Sequence, residues 1–170
     1  RAALARRATP FVVERGLAPA ALKANHVGAD PGPSVLRRAA GLPRGGAAAV
    51  LPALDLDGKV TYVQARYLDP VDGRPKYDNP AGRLAANPRL GWVNPATLLD
   101  RRHLVVCEGA VDALSIAGRG MPAVAVLGAT YVDERVARDV ARGAAGRQVL
   151  IAFDGDPAGP GFKKIIIKPN

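Results

Sequence analysis

The chain has 170 residues, of which 48% are hydrophobic and only 5% aromatic, and its net charge at pH 7 is +9. This size suits one compact domain or two small lobes, and the positive charge suits a polyanionic partner such as a nucleic acid. The single cysteine, Cys107, excludes an internal disulfide framework and a CxxC-type zinc site. No apolar stretch reaches the roughly 18 residues of a membrane span, and no signal peptide is evident. We therefore expect a cytoplasmic protein that does not associate with membranes.

The first hundred residues predict a small mixed lobe. Two short helices are expected, at Phe11–Gly16 and Pro19–Ala24, because glycine ends the first and proline opens the second. Residues 25–34 are rich in glycine and proline and predict a loop. Apolar runs on both sides of Asp57-Gly58 then predict a β-hairpin over residues 48–69.

The return strand of this hairpin and the loop after it carry candidate binding residues. Gln64 and Arg66 are placed on the face opposite to Tyr62, so Arg66 is expected to be open to solvent or ligand. The loop at residues 69–87 combines cations with a ring and amides, which suits single-stranded nucleic acid because phosphates meet cations and bases stack on rings. An ordinary exposed loop has the same composition, so both interpretations stay open at this point. The candidate nucleic-acid or nucleotide-binding residues are Arg66, Arg74, Lys76, Tyr77 and Asn79.

The second half of the chain predicts a βαβαβ unit. From His103 to Phe153, apolar runs of strand length alternate with helical segments at Ala110–Ala117 and Asp133–Ala141. Fully apolar strands joined by helices indicate a parallel sheet with helices on both faces. The expected fold class is therefore α/β, preceded by the α+β N-terminal lobe with its β-hairpin.

Acidic residues follow two of these apolar strands directly. Glu108 follows the first strand, with Asp112 one helical turn later, and Asp154 and Asp156 follow the last. Parallel strands end at one edge of a sheet, where open α/β folds place their ligands, so the acids are expected to converge. Clustered carboxylates repel one another unless a cation lies among them, and Mg²⁺ prefers oxygen ligands. Each acid alone also fits a strand-end or helix-capping role, but their joint occurrence favours a metal site.

The sequence around these acids resembles a known family. EGAVD (Glu108–Asp112) and FDGDPAG (Phe153–Gly159) resemble the Toprim signature, a Glu-Gly motif on one strand and an Asp-x-Asp motif on a later one. The segment VVCEGAVDALSIAGRGMPAVAVLGAT is similar to bacterial DnaG-type primases, as are GRPKYDNP (Gly73–Pro80), ERGLAPAAL and the hairpin, in the same order. The resemblance implies an N-terminal basic primase-like subdomain at residues 1–100 and a Toprim domain at 101–162.

The resemblance also implies an activity. A DNA primase core joins ribonucleoside triphosphates into RNA primers on a single-stranded DNA template by nucleotidyl transfer, with Mg²⁺ or Mn²⁺. The implied partners include a replicative helicase, bound through regions outside this chain. Glu108 is implied as a base or additional ligand, and the basic loop as a surface beside the metal. The implied catalytic residues are Glu108, Asp154 and Asp156, and the implied metal ligands are Glu108, Asp112, Asp154 and Asp156.

The end of the chain departs from the family pattern, in which a long helix and further acids follow the Asp-x-Asp loop. The Toprim domain is therefore expected to be truncated. Residues 163–170 are expected to be an atypical tail, in which either Lys164–Lys168 forms a fourth strand or the sequence is foreign to the protein. Two alternatives to a primase remain. A Toprim nuclease or topoisomerase would use the same acids to cleave DNA, although no tyrosine is marked as a nucleophile. A catalytically inactive DNA-binding module would have lost its metals.

Overall fold

The computed structural model describes residues 10–32, 45–69, 73, 75–94, 102–128 and 132–153. These residues form one mixed sheet with helices on both faces, which is the expected α/β fold. The strands are β1 (Gly28–Asp30), β2 (Ala48–Leu54), β3 (Val60–Tyr67), β4 (Tyr77–Asp78), β5 (Leu90–Val93), β6 (His103–Cys107), β7 (Ala123–Val126) and β8 (Gln148–Ala152). The helices are α1 (Pro19–Ala24), α2 (Ala110–Ala117) and α3 (Glu134–Ala144), with a helical turn at residues 10–14. In these ranges the structure has no helix of the length and apolarity needed to cross a membrane.

The sheet runs without a break through both halves of the chain. Its strand order is β4-β3-β2-β5-β7-β6-β8, with β1 beside β2. β6 lies between β7 and β8 and is parallel to both, as the sequence predicted. β5 pairs antiparallel with β7 over four residues, Leu90–Val93 against Ala123–Val126. This pairing joins the two predicted domains into one sheet, and their boundaries stay a prediction.

Side chains of β6, the middle of the three parallel strands, alternate between the two faces of the sheet, which explains why both faces are covered. In β6, Val105 and Cys107 pack with α2, whereas Leu104 and Val106 pack with α3. A strand that is apolar on both faces must be covered on both to leave water. Burial, with a smaller contribution from the charge of Asp112, raises the pKa of the Cys107 thiol to about 12. Cys107 is therefore a buried hydrophobic residue at neutral pH, as expected.

Helix α3 extends beyond its predicted end at Ala141. It begins as expected, because Asp133 Oδ1 accepts a hydrogen bond from the Val136 backbone N–H at 2.9 Å. It then continues to Ala144, and Gly143 sits against Trp92, where a Cβ atom would lie 2.0 Å from the indole Cη2. In this helix the glycine therefore allows close packing against β5, and it is no stop signal.

Three short strands lie where the sequence predicted none. β1 occupies the predicted loop at residues 25–34 and pairs antiparallel with β2. β4 occupies part of the predicted loop at residues 69–87 and pairs antiparallel with β3. β5 (Leu90–Val93) lies in a segment whose local composition predicted no strand. All three owe their structure to pairing with other segments of the chain, so local composition carried no signal for them.

The register of the hairpin corrects one face assignment. Pairing between β2 and β3 is continuous from Ala48↔Tyr67 to Ala53↔Tyr62, so side chains alternate strictly along this part of β3. Tyr62 therefore shares a face with Gln64 and Arg66, and the prediction that it lies opposite them is wrong. This shared face points toward the α2 side of the sheet, where Tyr62 is buried in the core.

Candidate active site

The carboxyl edge of the parallel strands positions the first acid. β6 and β8 are neighbours, with Cys107 paired to Ala152. Glu108 follows β6 at once and is half-buried, and Phe153 follows β8. Asp154 and Asp156 come next in sequence but lie outside the described residues, so their convergence with Glu108 stays a prediction. Its premise, that the two strands are parallel, is confirmed, and the structure adds that they are direct neighbours.

Asp112 lies close to the end of β6 because helix α2, which carries it, begins two residues after Glu108. Gly109 is the N-cap of α2 in an extended conformation, and Asp112 occupies the first turn, where a negative charge favours the helix dipole. A Cβ atom at Gly109 would lie 3.3 Å from Asp112 Oδ2. The missing side chain thus leaves room for the carboxylate beside Glu108.

Both acids line a small cavity that also holds cations, hereafter the charged cavity. Its volume is about 330 Å³. Arg15, Arg66 and Lys76 contribute positive charge, and Glu108 and Asp112 contribute negative charge. Cations and carboxylates facing one space suit a ligand that is itself anionic and bound together with a metal ion, such as a nucleoside triphosphate.

Arg66 is held rigidly at this cavity. On neighbouring strands it lies directly opposite Tyr77, and its Nη1 donates to the Tyr77 hydroxyl at 2.6 Å. Its guanidinium carbon lies 5.1 Å from the centre of the Tyr77 ring and 5.4 Å from that of Phe11. Cation–π contacts of this kind orient the planar fork. Arg66 is therefore half-buried and oriented, and the expectation of a solvent-open side chain is only partly met.

A second cavity adjoins the first and is lined by amides, hereafter the amide cavity. Its volume is about 490 Å³, and Tyr77, Glu108 and Gly109 line both cavities. Gln64, Asn79 and Asn87 contribute the amides. Gln64 Nε2 donates to Asn79 Oδ1 at 2.8 Å, which ties the loop after β4 to β3. The two cavities thus differ in chemistry: among the residues that the structure describes, cations line only the charged cavity, whereas side-chain amides line the amide cavity, and Glu108 belongs to both.

The structure places all six of the predicted site residues that it describes in the two adjoining cavities. Arg66, Lys76, Tyr77, Glu108 and Asp112 line the charged cavity, and Asn79 lines the amide cavity. Among the described ranges no group of three or more His, Cys, Asp or Glu is arranged to hold a metal ion. A complete metal site would need donors from outside those ranges. The predicted residues that fall outside the described part of the chain are Arg74, Asp154 and Asp156.

Sequence reasoning missed Arg15, Gln64 and Asn87 as cavity residues. Arg15 had a signal, because it lies in the ERGL segment that resembles primases, directly before Gly16 with its positive φ of 60°. Gln64 also had one, because period-two alternation places it on the same face as Arg66. Asn87 had none, because its role depends on a contact with Leu127, forty residues later.

Comparison with known proteins agrees with this geometry. Residues 105–169 match a family described as Toprim-like. The matched range covers Glu108, Asp112, Asp154 and Asp156. It extends to residue 169, within the tail at residues 163–170 that departs from the primase pattern. Comparison with curated protein sequences finds no significant match.

Solved primase structures are similar over most of the chain. The zinc-binding and RNA polymerase domains of the Aquifex aeolicus primase align with a TM-score of 0.66 and 21% identity, covering 91% of this chain and 44% of that one. The RNA polymerase domain of Mycobacterium tuberculosis primase DnaG aligns with a TM-score of 0.64 and 22% identity, covering 91% and 60%. A DnaG primase catalytic domain bound to ssDNA aligns with a TM-score of 0.56 and 21% identity, covering 92% and 68%.

Residues 105–169 are thus similar to a Toprim-like family, and within this range Glu108 directly follows β6 at the carboxyl edge of the parallel strands. More narrowly, the chain has the fold of a DnaG-type primase catalytic core. It spans 44% and 60% of the length of the two solved primase chains from A. aeolicus and M. tuberculosis.

Proposed function

We propose that this chain is part of a DNA primase core, which synthesises RNA primers on single-stranded DNA from ribonucleoside triphosphates. One observation carries the proposal: Glu108, at the carboxyl end of β6, the middle of the three parallel strands, shares a cavity with Asp112, Arg66 and Lys76. Carboxylates for a metal and cations for phosphate are the two requirements of nucleotidyl transfer, and this cavity supplies both.

The carboxylates fit a divalent cation. Glu108 and Asp112 are oxygen donors on one cavity wall, and hard cations such as Mg²⁺ or Mn²⁺ prefer such donors. Asp154 and Asp156 would complete the set, because they follow β8, the parallel neighbour of β6. When bound, the cation lowers the barrier to attack by the primer 3′-hydroxyl and stabilises the pyrophosphate that leaves.

The chain's own side chains would hold and orient the nucleotide. Arg66 presents a planar fork that its two aromatic neighbours orient, and such forks bind phosphate oxygens in pairs. Lys76 and Arg15 would add positive charge around the same phosphates. Glu108 would either accept the proton of the 3′-hydroxyl or act as a further ligand.

Support for a DNA template comes from charge and from the loop around β4. The net charge of +9 favours a polyanion. Tyr77 lies beside the cations that would meet its phosphates, and Asn79 lines the adjoining amide cavity. Arg74 belongs to the same loop in sequence. One of the similar structures is a DnaG primase catalytic domain bound to ssDNA. A replicative helicase partner and a cytoplasmic location remain predictions.

Primer synthesis tests the proposal. We expect the protein to join ribonucleotides into primers on a single-stranded DNA template in the presence of Mg²⁺ or Mn²⁺. Glu108→Gln, and Asp154→Asn combined with Asp156→Asn, should each lower this activity about 100-fold or more, since removing one stabilising group at a reacting centre has effects of that order. Glu134→Gln is the matched control, because that side chain is 93% exposed on α3.

The other outcomes separate the alternatives. Primer synthesis that survives the double Asp154/Asp156 change would overturn the proposal. Cleavage of plasmid or single-stranded DNA that depends on the same acids would identify a Toprim nuclease. DNA binding without any carboxylate-dependent uptake of Mn²⁺ in calorimetry would identify a catalytically inactive binding module.

A further inference from the structure

Two of the pieces of chain that line the amide cavity are joined to each other by a side chain. One piece is the carboxyl end of β7, where Leu127 and Gly128 line the space, and the other is the loop after β4. Asn87 connects them: its Nδ2 donates to the Leu127 carbonyl at 2.8 Å, and its Oδ1 accepts from the Arg89 backbone N–H at 2.8 Å. Its side chain therefore uses both a donor and an acceptor inside the protein.

Arg89 strengthens this connection. Its φ is +69°, a left-handed conformation that a non-glycine residue adopts at a cost. The Leu127 backbone N–H donates to the Arg89 carbonyl at 2.8 Å, and the Arg89 guanidinium pairs with the Asp133 carboxylate at the start of α3. The unfavourable backbone thus persists because hydrogen bonds on both of its sides and an ion pair fix it.

The loop between β4 and Asn87 is anchored at both ends. Asn79 is held by Gln64 of β3, and Asn87 is held by Leu127. Between these anchors, Pro80, Gly82 and Ala85 line the amide cavity. A wall fixed at both ends keeps its shape before a ligand arrives, which lowers the cost of ordering it on binding.

We infer that Asn87 is a positioning residue, which sets the wall of the amide cavity so that a nucleotide held at the charged cavity fits beside it. This inference rests on the proposed function. Asn87 touches no reacting atom in this account; it acts through the loop that it fastens. Its loss should weaken nucleotide binding and leave the chemistry at Glu108 unchanged.

Steady-state primer synthesis with Asn87→Ala and Asn87→Asp tests the inference. Losing one such hydrogen bond corresponds to about a five- to tenfold rise in KM for the nucleoside triphosphate, with kcat within about twofold. Asn87→Asp keeps the acceptor for Arg89 but loses the donor to Leu127, so the KM it gives should also rise. Leu84→Ala is the control, because Leu84 is 62% exposed on the same loop.

Amide hydrogen exchange separates positioning from general destabilisation. The N–H groups of Arg89 and Leu127 should exchange faster in Asn87→Ala, whereas those of β6 and β8 should not change. An unchanged KM despite this local loosening, or a fall in kcat equal to the rise in KM, would overturn the inference and leave the primase proposal standing. A wild-type protein that makes no primers would overturn both.

Discussion

The Asn25 side chain and the Asn94 backbone form a reciprocal hydrogen-bonded pair. Asn25 Oδ1 accepts from the Asn94 N–H at 2.8 Å, and Asn25 Nδ2 donates to the Asn94 carbonyl at 2.7 Å and to the Ala21 carbonyl at 2.9 Å. Asn25 has no exposed surface. This one side chain therefore fastens the end of α1 to the end of β5, and with α1 the segment that carries Arg15.

Asn25→Ala should lower the free energy of unfolding by about 1–3 kcal/mol, because it removes these bonds from a buried site. Asn25→Asp should be less stable still at pH 7, since it sets a carboxylate against two carbonyls, and should recover in part at low pH when the protonated acid donates again. Urea denaturation measures both. Lys23→Ala, exposed on the same helix, is the control; equal stability of the Asn25 and Lys23 variants would contradict the role assigned to Asn25.

Arg66→Lys tests whether the geometry of the fork matters beyond its charge. The lysine keeps the charge but loses the planar fork and the stacking on Tyr77 and Phe11. We expect affinity for nucleoside triphosphate to fall about tenfold, a loss of the size measured for charge-assisted hydrogen bonds. Isothermal titration measures it. Arg138→Lys, a change on the solvent side of α3 where the side chain is 71% exposed, should have no effect.

Tyr77→Phe separates the two contacts that orient Arg66. The ring and its cation–π contact remain, whereas the hydroxyl that accepts from Arg66 is lost. We expect a weakening of nucleotide binding of about two- to fivefold, smaller than for Arg66→Lys, because one neutral acceptor is removed. A loss larger than that of Arg66→Lys would mean that the Tyr77 hydroxyl itself touches the ligand.

Gly109→Ala tests the position of Asp112. The φ of Gly109 is −141°, which any residue adopts, so the added methyl group acts only through its contact 3.3 Å from Asp112 Oδ2. The carboxylate must move by a few tenths of an ångström, and we expect Mn²⁺ affinity to fall about three- to tenfold, or ~1 kcal/mol. Mn²⁺ titration followed by electron paramagnetic resonance measures it. Unchanged affinity would mean that Asp112 does not hold the metal.

Gly143→Ala should destabilise the packing of α3 on β5. Its Cβ would lie 2.0 Å from the Trp92 indole, and such overpacking costs about 1–3 kcal/mol. Trp92 is the only tryptophan of the chain, so its fluorescence reports both the displaced ring and the unfolding transition. Gly28→Ala, with open space around it, should leave the emission of Trp92 unchanged.

Asp133 should make stability depend on acid pH. Its hydrogen bond from the Val136 N–H, and then its contacts with Arg89, lower the pKa of the carboxyl below its ordinary value of 3.8. A lowered folded-state pKa means that the stabilisation is complete above the unfolded-state value and is lost as the pH falls through the folded-state value. The unfolded reference pKa is ~3.9. As the pH is lowered from 6 to about 2, the thermal unfolding temperature should therefore fall less steeply in Asp133→Asn than in the wild type.

The βαβαβ half of the chain was predictable because its signals are local. Apolar runs that end in acids define β6 and β8, and Asp133 marks the start of α3 within three residues of the bond it makes. The position of β5 was not predictable, because LGWV is short and its strand character depends on β7, more than thirty residues later. Local pattern reports what a segment prefers, whereas pairing depends on which partner the rest of the fold supplies.

The candidate site shows the same limit. Glu108 and Asp112 could be predicted because a strand end and a helix start lie next to each other in sequence. Arg15 joins them only because α1 and the preceding helical turn dock onto the α2 face of the sheet, through Leu17 and Phe11. Contacts over such sequence distances come from tertiary packing, which composition and periodicity do not encode.

The antiparallel pairing of β5 with β7 has a mechanical consequence. Those four residue pairs join the hairpin that carries Arg66 to the strands that carry Glu108. Separating the basic half from the acidic half would therefore require breaking backbone hydrogen bonds in the buried interior. We therefore expect that the two halves do not open and close against each other. If the chain acts as a primase, the growing duplex must move past a fixed active site, one nucleotide at a time.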